Sequence, residues 1–111
     1  MDKITMREWI SSLEEIIDKK LKKWVKESRI ENGECVQIEW QFEQTHIIID
    51  IFWHDHEESI VLQYLGPRAK HNFTWHGLTE KTISKVTDRI GNLAQMTQTP
   101  PIDPSDHGRN G

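Results

Sequence analysis

Two histidines and three carboxylates stand in one run, His54-Asp55-His56-Glu57-Glu58, and imidazole and carboxylate are common ligands of zinc and related divalent ions. On an extended strand His54 and His56 share a side, but a metal centre still needs a further ligand brought in from His46, His71 or His76. The same run between two apolar segments has the composition of a solvated hairpin turn, and we read it as that. No metal and no cofactor is assigned. Cys35 could serve as a nucleophile only with a base beside it, and it opens a strand with no local support, so a half-exposed structural thiol is the plainer reading. Glu39 and Asp50 are a carboxylate pair that proximity would push toward acid/base chemistry. A charged patch for a partner explains them as well. The chain carries no glycine-rich phosphate loop, nucleophile-elbow serine or zincin helix motif, so the reading is non-enzymatic.

A second concentration of chemistry is cationic: Lys19, Lys20, Lys22, Lys23, Lys26 and Arg29 fall within a few turns of one another. On the C-terminal half of a helix they complement the helix dipole, and they could also track phosphates. The formal charge of the 111-residue chain is −4, which argues against a surface devoted to nucleic acid and favours cationic partners. Hydrophobic residues make up 35% and charged residues 29%, the profile of a globular domain with no bilayer span and no membrane role. A lone cysteine cannot form an internal disulfide, and Met1 to Ile10 lacks an apolar signal region, so a reducing compartment, the cytoplasm, is expected.

Three strands position the acids. Val36, Ile38, Trp40 and Phe42 alternate with Gln37, Glu39, Gln41 and Glu43, and Ile47, Ile49, Ile51 and Trp53 continue the pattern from His46 to His54. Ile60, Leu62 and Tyr64 form a third run. With Gln44-Thr45 and Asp55 to Glu58 as turns, Trp40 faces Ile49, Ile51 faces Leu62, and on the reverse face Glu39 stands opposite Asp50 with Ile48, Phe52, Val61 and Leu65 around them. Ahead of the strands, Thr5-Met6-Arg7-Glu8 has capping-box spacing, and an apolar stripe from Met6 through Ile10, Leu13, Ile17, Leu21, Trp24 and Val25 predicts a helix that Asn32-Gly33 stops. Behind them, Phe73 and Trp75 alternate in a short edge segment, His71 to His76. Thr79 then caps a second helix bearing Ile83, Val86, Ile90 and Leu93, weakened at Gly91.

The fold class predicted is α+β in the order α-β-β-β-(β)-α, an antiparallel three- to four-stranded sheet with two helices packed on one face. Residues 1–97 form the domain and 98–111, proline-rich and with almost nothing apolar to bury, a disordered C-terminal tail. Helix, three strands, helix is also the order of double-stranded-RNA-binding domains, but the second helix here opens Thr79-Glu80-Lys81-Thr82 without a lysine cluster. The leading function is a protein-binding module, comparable in size and charge to small acidic inhibitors and immunity-type proteins, that occludes a basic partner through its open sheet face. Glu39, Asp50 and Glu43 would steer the encounter, and Ile48, Phe52, Val61 and Leu65 would anchor it. The alternative is a nucleic-acid-associated regulator using Lys19, Lys22, Lys23, Lys26 and Arg29. A homodimer through the exposed sheet face is compatible with the same pattern.

Overall fold

The computed structural model describes residues 3–54 and 57–98. Six of the seven elements follow from periodicities visible in the chain. Helix α1 (Lys3–Lys20) forms on the stripe Met6, Ile10, Leu13 and Ile17, each at most 2% exposed, and begins ahead of Thr5, which therefore lies within the first turns and is not the cap. Helix α2 (Glu80–Gln98) starts as expected, since the Thr82 N–H donates to Thr79 Oγ1 at 3.2 Å. It buries Val86, Ile90, Leu93 and Ala94, and runs on to Gln98. The tail expected from residue 98 onward otherwise lies outside the described residues.

The sheet has five antiparallel strands rather than three or four, in the order of the chain: β1 (Val25–Glu31), β2 (Cys35–Phe42), β3 (Thr45–His54), β4 (Glu57–Leu65) and β5 (Lys70–His76). The edge segment at Phe73 and Trp75 is real and forms β5. The unforeseen element is β1, which occupies what reads as the end of the first helix. Leu21 and Trp24 continue the helical stripe and are buried, but they do so from a closing turn in which the Leu21 N–H donates to Ile17 O and the Trp24 N–H to Leu21 O. Val25, the next residue of that stripe, is 60% exposed. Seven residues gain a ladder on β2 by leaving the helix, and that tertiary gain outweighs a local helical pattern worth a few tenths of a kcal/mol per residue, roughly. Asn32-Gly33, expected to stop a helix, instead turns β1 into β2, with the Glu34 N–H donating to Asn32 Oδ1.

The registers of both central hairpins differ from expectation by two residues. Phe42 pairs with Thr45 across Glu43-Gln44, so that Trp40 faces Ile47 and Ile38 faces Ile49. Glu43 takes the left-handed conformation (φ 54°) that a two-residue hairpin demands. In the next hairpin Ile51 faces Ile60 and Ile49 faces Leu62. Because side chains alternate with period two, a two-residue shift changes partners and keeps faces. The dry face therefore holds the expected set: Val36, Ile38, Trp40, Ile47, Ile49, Ile51, Ile60 and Leu62 are all at most 1% exposed, and Tyr64 only 8%. Both helices cover this face. Trp40 Nε1 donates to Asp18 of α1 at 3.0 Å, Tyr64 Oη and Thr97 Oγ1 of α2 lie 2.9 Å apart, and Trp9 Nε1 donates to Thr79 O at 3.1 Å. Among the described residues no helix is long and apolar enough to cross a membrane.

Candidate protein-docking face

The other side of the sheet has no helix on it. Reading across the strands in register gives its composition: Ile30, Gln37, Asp50, Val61 and Thr74 in one row, and Ser28, Glu39, Ile48, Gln63 and Asn72 in the next. Cys35, Phe52, Ser59 and His76 line up on one flank, and Val25, Gln41, His46, Leu65 and Lys70 on the other. All six of the strand residues assigned to docking, Glu39, Asp50, Ile48, Phe52, Val61 and Leu65, share this surface. Phe52 is 40% exposed, and Ile48, Val61 and Leu65 are half-buried by their neighbours. Glu43, the seventh, sits in the β2–β3 turn at the margin, fully outside, where its carbonyl accepts from Gln41 Nε2.

One expectation fails within this face. Glu39 and Asp50 are not opposite each other, because the register pairs Glu39 with Ile48 and Asp50 with Gln37 and Val61. The like-charge contact is thereby avoided, and each acid has its own partner. Gln37 Nε2 donates to Asp50 Oδ1 at 2.8 Å, and His46 Nδ1 lies 2.7 Å from Glu39 Oε2. A shared-proton carboxylate pair does not form. Glu34 and His54 make a similar carboxylate–imidazole contact at one end of the face. Carboxylates outnumber cations here, with Glu39, Asp50 and Glu57 against Lys70.

Two apolar residues of the face were missed, Val25 at 60% and Ile30 at 59% exposure. Both come from β1, a stretch over which the sequence pattern predicts helix up to Asn32-Gly33. A signal was present: β-branched residues stand near each end of Val25–Glu31, just before the Asn32-Gly33 turn.

The thiol of Cys35 borders Phe52, half-buried. Burial first, then the charge of Asp50, raises its pKa, and both disfavour the thiolate that nucleophilic chemistry requires. Asp55 and His56 of the histidine-acid run lie outside the described residues, and among the described ones no group of three or more His, Cys, Asp or Glu is placed to hold a metal ion.

The cationic set is divided by β1. Lys19 lies at the end of α1 beside Glu15, and Lys22 and Lys23 are exposed in the turn after it. Lys26 and Arg29 point from β1 to the helix side of the sheet. There Lys26 Nζ lies 2.6 Å from Glu14 and 3.0 Å from Asp18, while Arg29 reaches Glu14 and Glu31, each at 3.0 Å. A continuous basic helix face, as drawn from the sequence, therefore does not exist. What exists is an ion-pair network that clamps β1 to α1, with Glu14 at its centre.

No family model matches the chain, and neither the curated proteins nor the solved structures contain a match to it.

Proposed function

We propose that the chain is a non-enzymatic protein-binding module whose uncovered sheet face docks a basic, partly apolar protein surface and occludes it, in the manner of a small inhibitor or immunity-type protein. The observation that carries this reading is the coexistence, on one helix-free face, of Phe52, Ile30 and Val25 left 40 to 60% exposed with Glu39 and Asp50 among them. Exposed apolar side chains gathered on one surface lower solubility unless something covers them, and the surrounding carboxylates select for a cationic cover. Phe52, flanked by Cys35 and Ser59, is the natural anchor.

The experiment has two stages. The full chain captures its partner from the native host, and the affinity of that identified partner is then measured for Glu39→Lys/Asp50→Lys and for Phe52→Ser. A basic partner whose affinity falls roughly 100-fold in both variants supports the reading. Unchanged affinity in both refutes it. Lys19, Lys22 and Lys23 remain free of the β1 network, so the nucleic-acid reading rests on them alone; its signature would be binding that weakens steeply with salt and disappears when those three are replaced.

A further inference from the structure

A sheet of five strands has two edges, and the two are built differently. β1 is interrupted by a bulge between Lys26 and Ser28, and it carries Lys26, Glu27, Arg29 and Glu31. A bulge and alternating charges are the means by which edges are kept from pairing with other chains. β5 has neither. It pairs with β4 without a break from Lys70 to His76, and its one formal charge at neutral pH is Lys70.

The direction of its backbone groups follows from the bonds at its two ends. Gly66 N–H donates to Ala69 O, and Gly77 N–H donates to Glu58 O, both at 2.8 Å. Bonded pairs in an antiparallel ladder recur every second residue, so His71, Phe73 and Trp75 bond β4. Lys70, Asn72, Thr74 and His76 therefore turn their N–H and C=O groups outward, and no described residue accepts or donates there.

We propose that β5 is the seam of a symmetric homodimer, in which the β5 strands of two copies pair antiparallel about Phe73 and join their sheets into one. This register is self-complementary. Asn72 falls opposite Thr74 of the second copy and Lys70 opposite its His76, so every outward N–H and C=O of the strand finds a partner and no lysine meets a lysine. The same register brings Phe73 against Phe73 and His71 against Trp75 at the positions where side chains approach most closely. These rings already stack along the edge, with His71–Phe73 centroids at 6.2 Å and Phe73–Trp75 at 6.1 Å, and Phe73 and Trp75 are only half-buried in the single chain. α2 borders the same side: the Arg89 guanidinium lies over the Phe73 ring at 4.5 Å, and the apolar Met96, two helical turns further on, is 63% exposed. The seam uses the edge of the sheet and none of the residues assigned to docking, Glu39, Asp50, Ile48, Phe52, Val61 and Leu65.

Sedimentation of the full chain tests the proposal, the expected species having the mass of two 13.1 kDa chains. Thr74→Pro removes an outward N–H and no bond within the chain, and it should sediment as a folded monomer. A charge pair tests the register. Asn72→Lys/Thr74→Lys sets lysine against lysine twice across the seam and should weaken association roughly tenfold, whereas Asn72→Lys/Thr74→Glu sets opposite charges together and should retain it. A wild-type chain that stays monomeric at millimolar concentration overturns the proposal, as does a folded, dimeric Thr74→Pro, or equal association of the two charge variants. If Thr74→Pro fails to fold, the charge pair decides alone, since Asn72 and Thr74 are exposed and their replacement leaves the core intact.

Discussion

Replacing Glu14 by glutamine keeps its shape and removes its charge, and the consequence can be worked from the contacts around it. The side chain is 14% exposed and accepts from Lys26 at 2.6 Å and Arg29 at 3.0 Å. A hydrogen bond to a charged group contributes about 1 kcal/mol more than a neutral one, so two such bonds amount to about 2 kcal/mol. Lys26 and Arg29 keep Asp18 and Glu31, and their own side chains are 33% and 36% exposed, which screens part of the effect. The expected loss is about 1–2 kcal/mol, or a fall in melting temperature of roughly 5–15 °C for a domain of this size. Denaturant unfolding followed by tryptophan fluorescence measures it. Glu15→Gln serves as the control, because the Glu15–Lys19 pair is 72% and 69% exposed and should contribute less than about 0.5 kcal/mol. The network also has a pH signature. Burial opposes the charge on Lys26, but its hydrogen bonds to Glu14 and Asp18 outweigh that, and its pKa lies above the ordinary lysine value. A cation with a raised pKa stabilises the fold at every pH below its unfolded value and ceases to do so as pH climbs through the folded one. The wild type should therefore lose stability on the alkaline limb, and Glu14→Gln should lose less there. If Glu14→Gln and Glu15→Gln prove equally mild, the network does not hold β1 and the reasoning is wrong.

The two faces of the sheet predict opposite outcomes for similar truncations: Ile49→Ala, at 0% exposure, should cost about 2–5 kcal/mol, while Ile30→Ala, at 59%, should stay within about 0.5 kcal/mol, both by denaturant titration. Since burial and the Asp50 charge raise the Cys35 pKa, Asp50→Asn should speed its alkylation by iodoacetamide at mildly alkaline pH, and an unchanged rate would place the thiol outside the reach of that carboxylate. Gly91→Ala should stabilise by about 0.5–1 kcal/mol in thermal unfolding, because a methyl there meets the flexible end of Lys20 at 3.4 Å and the helix gains propensity.

Much of this architecture is legible in the amino-acid order, and the illegible parts have physical reasons. The faces of β2, β3 and β4 follow from alternation, which is why Glu39, Asp50, Ile48, Phe52, Val61 and Leu65 share one surface. Their partners across the ladder do not follow, because partners depend on the turn. Moving the first turn from Gln44-Thr45 to Glu43-Gln44 shifts every pair by two and separates Glu39 from Asp50. β1 was hidden for another reason. Lysines at helical spacing and the run Leu21, Trp24, Val25 continue the period of α1, and only pairing with β2, a long-range term, decides that Lys26 and Arg29 belong to a strand lying beneath Glu14. Val25 and Ile30 were lost from the docking face with it.

The consecutive strand order has a consequence for how the molecule comes to exist. Each ladder joins neighbours along the chain through a short reversal, so the sheet can assemble by successive small loop closures, each with a modest entropic cost. The helices are a different matter: Trp9 reaches Thr79 across 70 residues, and α1 and α2 can meet only after everything between them is in place. During synthesis α1 leaves the ribosome before the strands and waits for α2 to arrive. Throughout that interval the isoleucine-rich side of the sheet is only partly covered, and the nascent chain is at its most prone to aggregate.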